Sequence, residues 1–144
     1  MILIDANLLI YAGVKGQAEH PTAAAWLREQ VTAGHRVGMP WHSLVAFLRI
    51  TTNPRLFASP GTIDAALSIV EGWLRLPTVW IPQPTERHPQ IFGRLLREVN
   101  AQGNLVPDCH LAALAMGHGL ELCTTDGDFA RFEGLRWMNP LKRK

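Results

Sequence analysis

Pro107-Asp108-Cys109-His110-Leu111-Ala112-Ala113-Leu114-Ala115 leads through Gly119 into Leu122-Cys123-Thr124-Thr125-Asp126-Gly127-Asp128-Phe129. The first run reads as a short apolar helix opening on Asp108, with Gly119 as its stop. The second reads as a buried strand that runs out onto two carboxylates, Asp126 and Asp128. The chain begins on a related pattern, Met1-Ile2-Leu3-Ile4-Asp5, an apolar strand closed by an acid. As neighbours in one parallel sheet, these strands bring Asp5, Asp108 and Asp126 together at its carboxyl edge. Open α/β sheets bind their ligands there.

The remaining sequence supplies the other layers of such a sheet. Asn7 to Ala12 continues as the first turns of a helix or as loop, broken at Gly13 and Gly16. Pro21 opens a helix carrying Ala23, Ala24, Trp26, Leu27 and Val31 on its apolar face, and Gly34 ends it. Arg36 to Met39 reads as a short strand, and a helix from about Trp41 or Ser43 runs to Thr51. Thr62 caps a further helix through Leu76. Val79-Trp80-Ile81 is a short strand, and a helix follows from about Pro89 to Ala101. Leu135 to Met138 forms a last strand before a basic tail, Leu141 to Lys144. Strands alternating with helices predict one domain, residues 1–144, with a mainly parallel sheet covered on both faces.

Composition agrees with this. The chain has 144 residues, 47% apolar and 18% charged, which suits a compact α/β domain and excludes a disordered one. The net charge of +2 decides little, but 11 of the 14 basic residues are Arg, the side chain best shaped for phosphate. Cys109 and Cys123 form no CxxC unit and read as small core residues of a reducing compartment. The N-terminus lacks a basic region before its apolar run, and no apolar stretch approaches the ~20 residues that span a bilayer. A cytoplasmic protein is expected.

Each carboxylate taken singly has a structural explanation. Asp5 and Asp126 suit turns at strand ends, Asp108 suits a helix N-cap, and Asp128 suits the cap of the short segment Phe129-Ala130-Arg131-Phe132. Together at one sheet edge they repel one another and resist ionisation. A hard cation removes that cost. Mg²⁺ takes oxygen ligands, retains waters, and is held by one or two carboxylates plus substrate phosphate. The chemistry such a site offers is phosphodiester hydrolysis.

At this point the residues resemble a known family, the PIN-domain ribonucleases, and in particular the VapC toxins of bacterial toxin–antitoxin pairs. The resemblance rests on Ile4-Asp5-Ala6-Asn7, the helix Ser43 to Arg49, Asp108 with Leu111 to Ala115, and Thr125-Asp126-Gly127-Asp128-Phe129, in order over essentially the whole chain. It implies a three-layer α/β/α sandwich, dependence on Mg²⁺ or Mn²⁺, and endonucleolytic cleavage of RNA. It also implies a cognate VapB-type antitoxin and a homodimer. By position, Asp5, Asp108 and Asp126 become the metal ligands and Asp128 an additional acid. Asn7 would orient Asp5 or a water, and Thr125 would support the site. One position departs from the pattern: the family usually carries Glu where this chain has Ala46, and no acid occurs between Glu29 and Asp64. That leaves open one metal ion or two.

Arg49 and Arg55, with Arg87, Arg94 and Arg97, are candidates for phosphate contacts, and such binding weakens with salt. His42 and His110 flank the predicted site, and His110 could point toward substrate, while His20, His35, His88 and His118 show no ligand spacing. Trp26 and Trp73 read as core residues that could also line a groove for an antitoxin helix. Two other functions compete with the nuclease. An aspartyl phosphotransferase would expect a later lysine, and none occurs between Lys15 and Lys142. A non-catalytic RNA- or protein-binding module would explain the missing acid at Ala46.

Overall fold

The computed structural model describes residues 1–57 and 61–142. The end of the basic tail, Arg143 and Lys144, lies outside the described residues. The chain runs β1 (Ile2–Ile4), α1 (Ala6–Gly13), α2 (His20–Thr32), β2 (Val37–Gly38), α3 (Trp41–Thr51), α4 (Ile63–Leu74), β3 (Val79–Trp80), α5 (His88–Glu98), α6 (Leu105–His118), β4 (Glu121–Cys123), a 3-10 turn (Gly127–Arg131) and β5 (Trp137–Met138).

The five strands form one sheet in the order β3-β2-β1-β4-β5, and every pairing is parallel. The chain winds outward from β1 through β2 to β3, then crosses back to β4 on the other side of β1. The reversal of winding falls between β1 and β4, which is where a crevice opens in sheets of this kind. The register pairs Ile2 with Glu121, Leu3 with Leu122 and Ile4 with Cys123.

Alternation along β1 separates the two cores. Ile2 and Ile4 face one layer with Leu8, Leu9, Leu27, Phe47 and Val70, from α1 to α4. Leu3 faces the other with Leu95, Leu111, Leu114, Leu122 and Phe129, built on α5 and α6. The expected three-layer α/β/α sandwich is therefore present. Cys109 and Cys123 are buried free thiols, one in each core, and burial pushes the Cys123 thiol up to about 12. No helix among the described residues is long and apolar enough to cross a membrane.

One open local reading is settled and three are corrected. Asn7 to Ala12 is wholly helical, because Asp5 accepts a hydrogen bond from the Ala6 amide and caps α1. α6 begins at Leu105, before Asp108; Pro107 fits within its first turn, where an amide hydrogen has no helical acceptor. Asp108 therefore lies inside the first turn and is not the cap. The cap of the 3-10 turn is Asp126, not Asp128: its carboxylate accepts from the Asp128 amide. The last strand shortens to Trp137–Met138.

Two glycines answer to backbone geometry. Gly119 ends α6 at φ +67°, and its amide and that of Leu120 close onto Met116 and Ala115. Gly38 lies in β2 where a Cβ would stand 2.8 Å from the Pro82 ring and 3.1 Å from the Ile2 carbonyl. Gly38→Ala is expected to cost about 1–3 kcal/mol by overpacking. Urea unfolding should show this as a lower midpoint with an unchanged slope.

Candidate active site

The parallel register delivers the site. Beyond the last β1–β4 pair, the Asp5 amide donates to the Cys123 carbonyl at 3.0 Å, so Asp5 and Thr124 leave the sheet side by side. Asp5 is 9% exposed. Its Oδ1 accepts the Ala6 amide at 2.7 Å. Its Oδ2 accepts the Thr124 hydroxyl at 2.7 Å and the Asn7 amide nitrogen at 3.3 Å. Thr124 Oγ1 in turn accepts Asn7 Nδ2 at 3.1 Å and the Asp126 amide at 3.0 Å. Asn7 Oδ1 accepts the Thr125 amide at 3.2 Å. The side-chain amide of Asn7 is thus held at both ends between the two strand exits.

The other two carboxylates approach from either side. Asp108 comes from the first turn of α6, half-buried. Asp128 stands exposed in the 3-10 turn, 3.8 Å from Arg131 Nη2. Burial pushes Asp108 up to about 6, and the negative fields of Asp126, Asp5 and Asp128 push in the same direction, while Arg131 opposes them. Burial also raises Asp5, against hydrogen bonds from Thr124 and Ala6 that favour its charge. Asp108 therefore lies within the fields of the other three sequence-selected acids.

The supporting residues differ in part from expectation. Asn7 bonds Asp5 as anticipated, but the hydroxyl that buttresses Asp5 belongs to Thr124. Thr125 contributes its backbone amide. Thr124 is fully buried, and in sequence it reads as the last residue of an apolar strand. Arg131, the cation acting on Asp108, carries no sequence signal beyond lying three residues after Asp128. Arg49 is exposed in the last turn of α3, and Arg55 is exposed with its amide on Asn53. Arg94 pairs with Glu98 on the surface of α5. His110 lies 5.6 Å, ring to ring, from His42 and bonds to His88, a residue whose sequence spacing carried no signal. Ala46 is half-buried on α3, so that helix presents no acid.

The donor set is oxygen throughout. Among the described residues no three His, Cys, Asp or Glu side chains stand close enough to enclose an ion. A cation held by one or two carboxylates, with waters and substrate completing its shell, fits both facts.

A mixed α/β domain with an acidic carboxyl edge at the switch point is the class that the geometry defines. Residues 2–135 match the PIN domain model. Ribonuclease VapC37 of Mycobacterium tuberculosis is 41% identical over 97% of both chains, and Ribonuclease VapC33 of the same species is 37% identical over 99% of both. Among solved structures, VapBC-1 from nontypeable Haemophilus influenzae superposes with a TM-score of 0.70 at 20% identity, covering 99% of this chain and 100% of that one. The chain belongs to the PIN-domain family, in its VapC ribonuclease group.

Thr124→Val keeps the shape and removes the bond to Asp5. It is expected to destabilise the fold by about 1–3 kcal/mol, measured by urea unfolding at pH 7.5. Asp108 gives a pH effect of opposite sign. Its carboxyl is raised in the folded state, so the favourable contribution is complete below about pH 4 and is lost as pH rises through about 6. In chelator, Asp108→Asn is therefore expected to raise the melting temperature at pH 7.5 and to leave it unchanged at pH 4.

Proposed function

We propose that the chain is a Mg²⁺- or Mn²⁺-dependent endoribonuclease, the toxin of a toxin–antitoxin pair, acting at the carboxylate edge between β1 and β4. The observation that carries this reading is the convergence on Asp108 of the fields of Asp5, Asp126 and Asp128. Such an arrangement costs stability, and a divalent cation relieves it. The VapC relatives, named ribonucleases, support the choice of RNA.

The chain's own residues divide the work. Asp5 is held in one orientation by Thr124, Asn7 and the Ala6 amide, and the Thr124 and Ala6 bonds favour its ionised form. Asp126 is fixed through its backbone by the same Thr124 hydroxyl. Asp108 is the acid least compensated by protein groups and gains most from a cation. Asp5, Asp108 and Asp126 are the acids that would hold the ion, one or two of them directly and the rest through its waters, with Asp128 acting directly or through water. A bound Mg²⁺ or Mn²⁺ would polarise a phosphoryl oxygen, lower the pKa of a water and offset charge on the leaving oxygen. With Ala46 on α3, the ion is held by one acid fewer than the family usually provides.

The partners follow the same reading: RNA as substrate, a second copy of the chain, and a VapB-type antitoxin in the cytoplasm. The Haemophilus influenzae neighbour is a VapBC structure, which supports the antitoxin. A groove of about 360 Å³ lined by Ala12, Leu27, Val31, Trp73 and Leu76 offers an apolar seat for an antitoxin helix. Trp73 lines it and Trp26 does not, while both pack against the core.

Purified protein with a total cellular RNA pool tests the reading. Discrete fragments are expected in Mg²⁺ or Mn²⁺, none in chelator, and at least a hundredfold less (about 3 kcal/mol of barrier) from Asp5→Asn and Asp126→Asn. Equal cleavage by the variants would overturn it. Metal-independent RNA binding without cleavage would establish the non-catalytic module instead.

A further inference from the structure

Three histidines from three helices stand in a row beside the carboxylates. His42 lies in the first turn of α3, His110 on α6, and His88 at the first position of α5. The rings of His42 and His110 are 5.6 Å apart. His88 Nε2 lies 3.1 Å from His110 Nδ1, with the two rings at 73°. His42 and Asp5 act on each other electrostatically, so the row starts at the acidic edge and leads away from it. His88 is 8% exposed, stacks on Phe92 at 5.6 Å and 25°, and leaves its Nδ1 buried with no partner among the described residues.

This pairing has a direction. Between two neutral imidazoles, one facing nitrogen donates and the other accepts. If His88 accepted at Nε2, its proton would sit on Nδ1 as a buried N–H with no acceptor. Orphaned buried donors are the rarer and costlier defect; a bare nitrogen lone pair is the better tolerated one. His88 therefore carries its proton on Nε2 and donates it to His110 Nδ1. His110 must then carry its own proton on Nε2, across the ring from His88.

We propose that His88 is a positioning residue that locks His110 in the Nε2–H tautomer, and that His110 donates this hydrogen to a non-bridging phosphate oxygen of the RNA strand flanking the scissile bond. The proposal rests on the nuclease reading for the location of that bond. Nδ1 is committed to His88, and the half-exposed ring leaves the Nε2 edge for a ligand. An uncharged donor suits this place. A cationic donor beside His42, which shares a field with Asp5, would compete with a cation for the acids. A neutral N–H grips phosphate without changing the charge of the site.

The test combines a spectroscopic reading with binding, both in chelator so that neither requires cleavage. Long-range ¹H–¹⁵N correlation spectra at pH 7.5 are expected to show His110 as the Nε2–H tautomer in the native chain. His88→Leu should release it to a mixture, and His88→Gln, whose amide donates to Nδ1, should restore it. Affinity for single-stranded RNA of mixed sequence should fall about tenfold in His110→Ala and His88→Leu and recover in His88→Gln. An Nδ1–H tautomer in the native chain overturns the lock, and unchanged affinity in His110→Ala overturns the phosphate contact. Absence of metal-dependent cleavage by the native chain overturns the nuclease reading, while these two measurements still decide the tautomer and the contact.

Discussion

The hydrogen bond from Thr124 to Asp5 joins the two strands that the rest of the molecule is wound around. β1 and β4 are neighbours in space and more than a hundred residues apart in sequence, and their parallel register brings Asp5 and Thr124 to the same edge. A carboxylate buried there without donors would be driven toward its neutral form. Burial still raises this carboxyl; the helix-start amide and the Thr124 hydroxyl oppose the rise, and the Asn7 side-chain amide fixes its orientation. The same hydroxyl accepts the Asp126 amide, so one buried threonine orders two acids from two strands. Asp5 also caps α1, which couples the first helix to the integrity of the site.

This explains why structural and functional readings of these acids need not compete. Asp5 and Asp126 both make cap bonds. A cap bond occupies one lone pair of one oxygen, and a carboxylate offers about four acceptor sites. The residues can therefore set the backbone geometry and still face the crevice with unused oxygen. Asp108 differs: it caps nothing, and lies in the first turn of α6, where the helix dipole favours a negative charge. Its carboxyl is nevertheless pushed up to about 6, so burial and the other carboxylates outweigh the dipole. Burial first, and the fields of three acids second, set Asp108 apart from an ordinary turn residue.

The sheet and its acidic edge were legible because their signals are local. An apolar run closed by Asp reads the same at Ile2–Asp5 as at Leu122–Asp126, and parallel strands with covered faces follow from the spacing of helices. The resemblance to PIN-domain ribonucleases rested on the same runs. What the sequence concealed is set by tertiary register. Thr124 and Thr125 are adjacent and chemically identical; which hydroxyl turns inward depends on the pleat of β4 against β1. The start of α6 was misplaced because Pro107 looks like a boundary, although a proline is tolerated throughout a first turn. Arg131 acquires meaning only once the 3-10 turn folds it back toward Asp108. His42 and His110 read as flanking the site, but His88 carries no spacing that links it to them; three helices from both layers bring the three together.

The charge balance of α3 ties these features to function. Ala46 stands one helical turn after His42, and residues four apart share a face. A carboxylate at that position would add a further negative field to an edge where Asp5 and Asp108 are already raised. This chain instead presents a methyl group and, one turn earlier, an imidazole that burial holds toward neutrality. The consequence has two sides. Less repulsion must be overcome to fold the site without an ion, and less attraction is available to hold one. A site so balanced would depend on the substrate's own phosphate to complete the cation's shell, with ion and RNA binding favouring each other. On the proposed reading, a row of neutral donors beside the acids would serve that arrangement better than a row of cations, because it would hold the phosphate while leaving its negative charge to the metal.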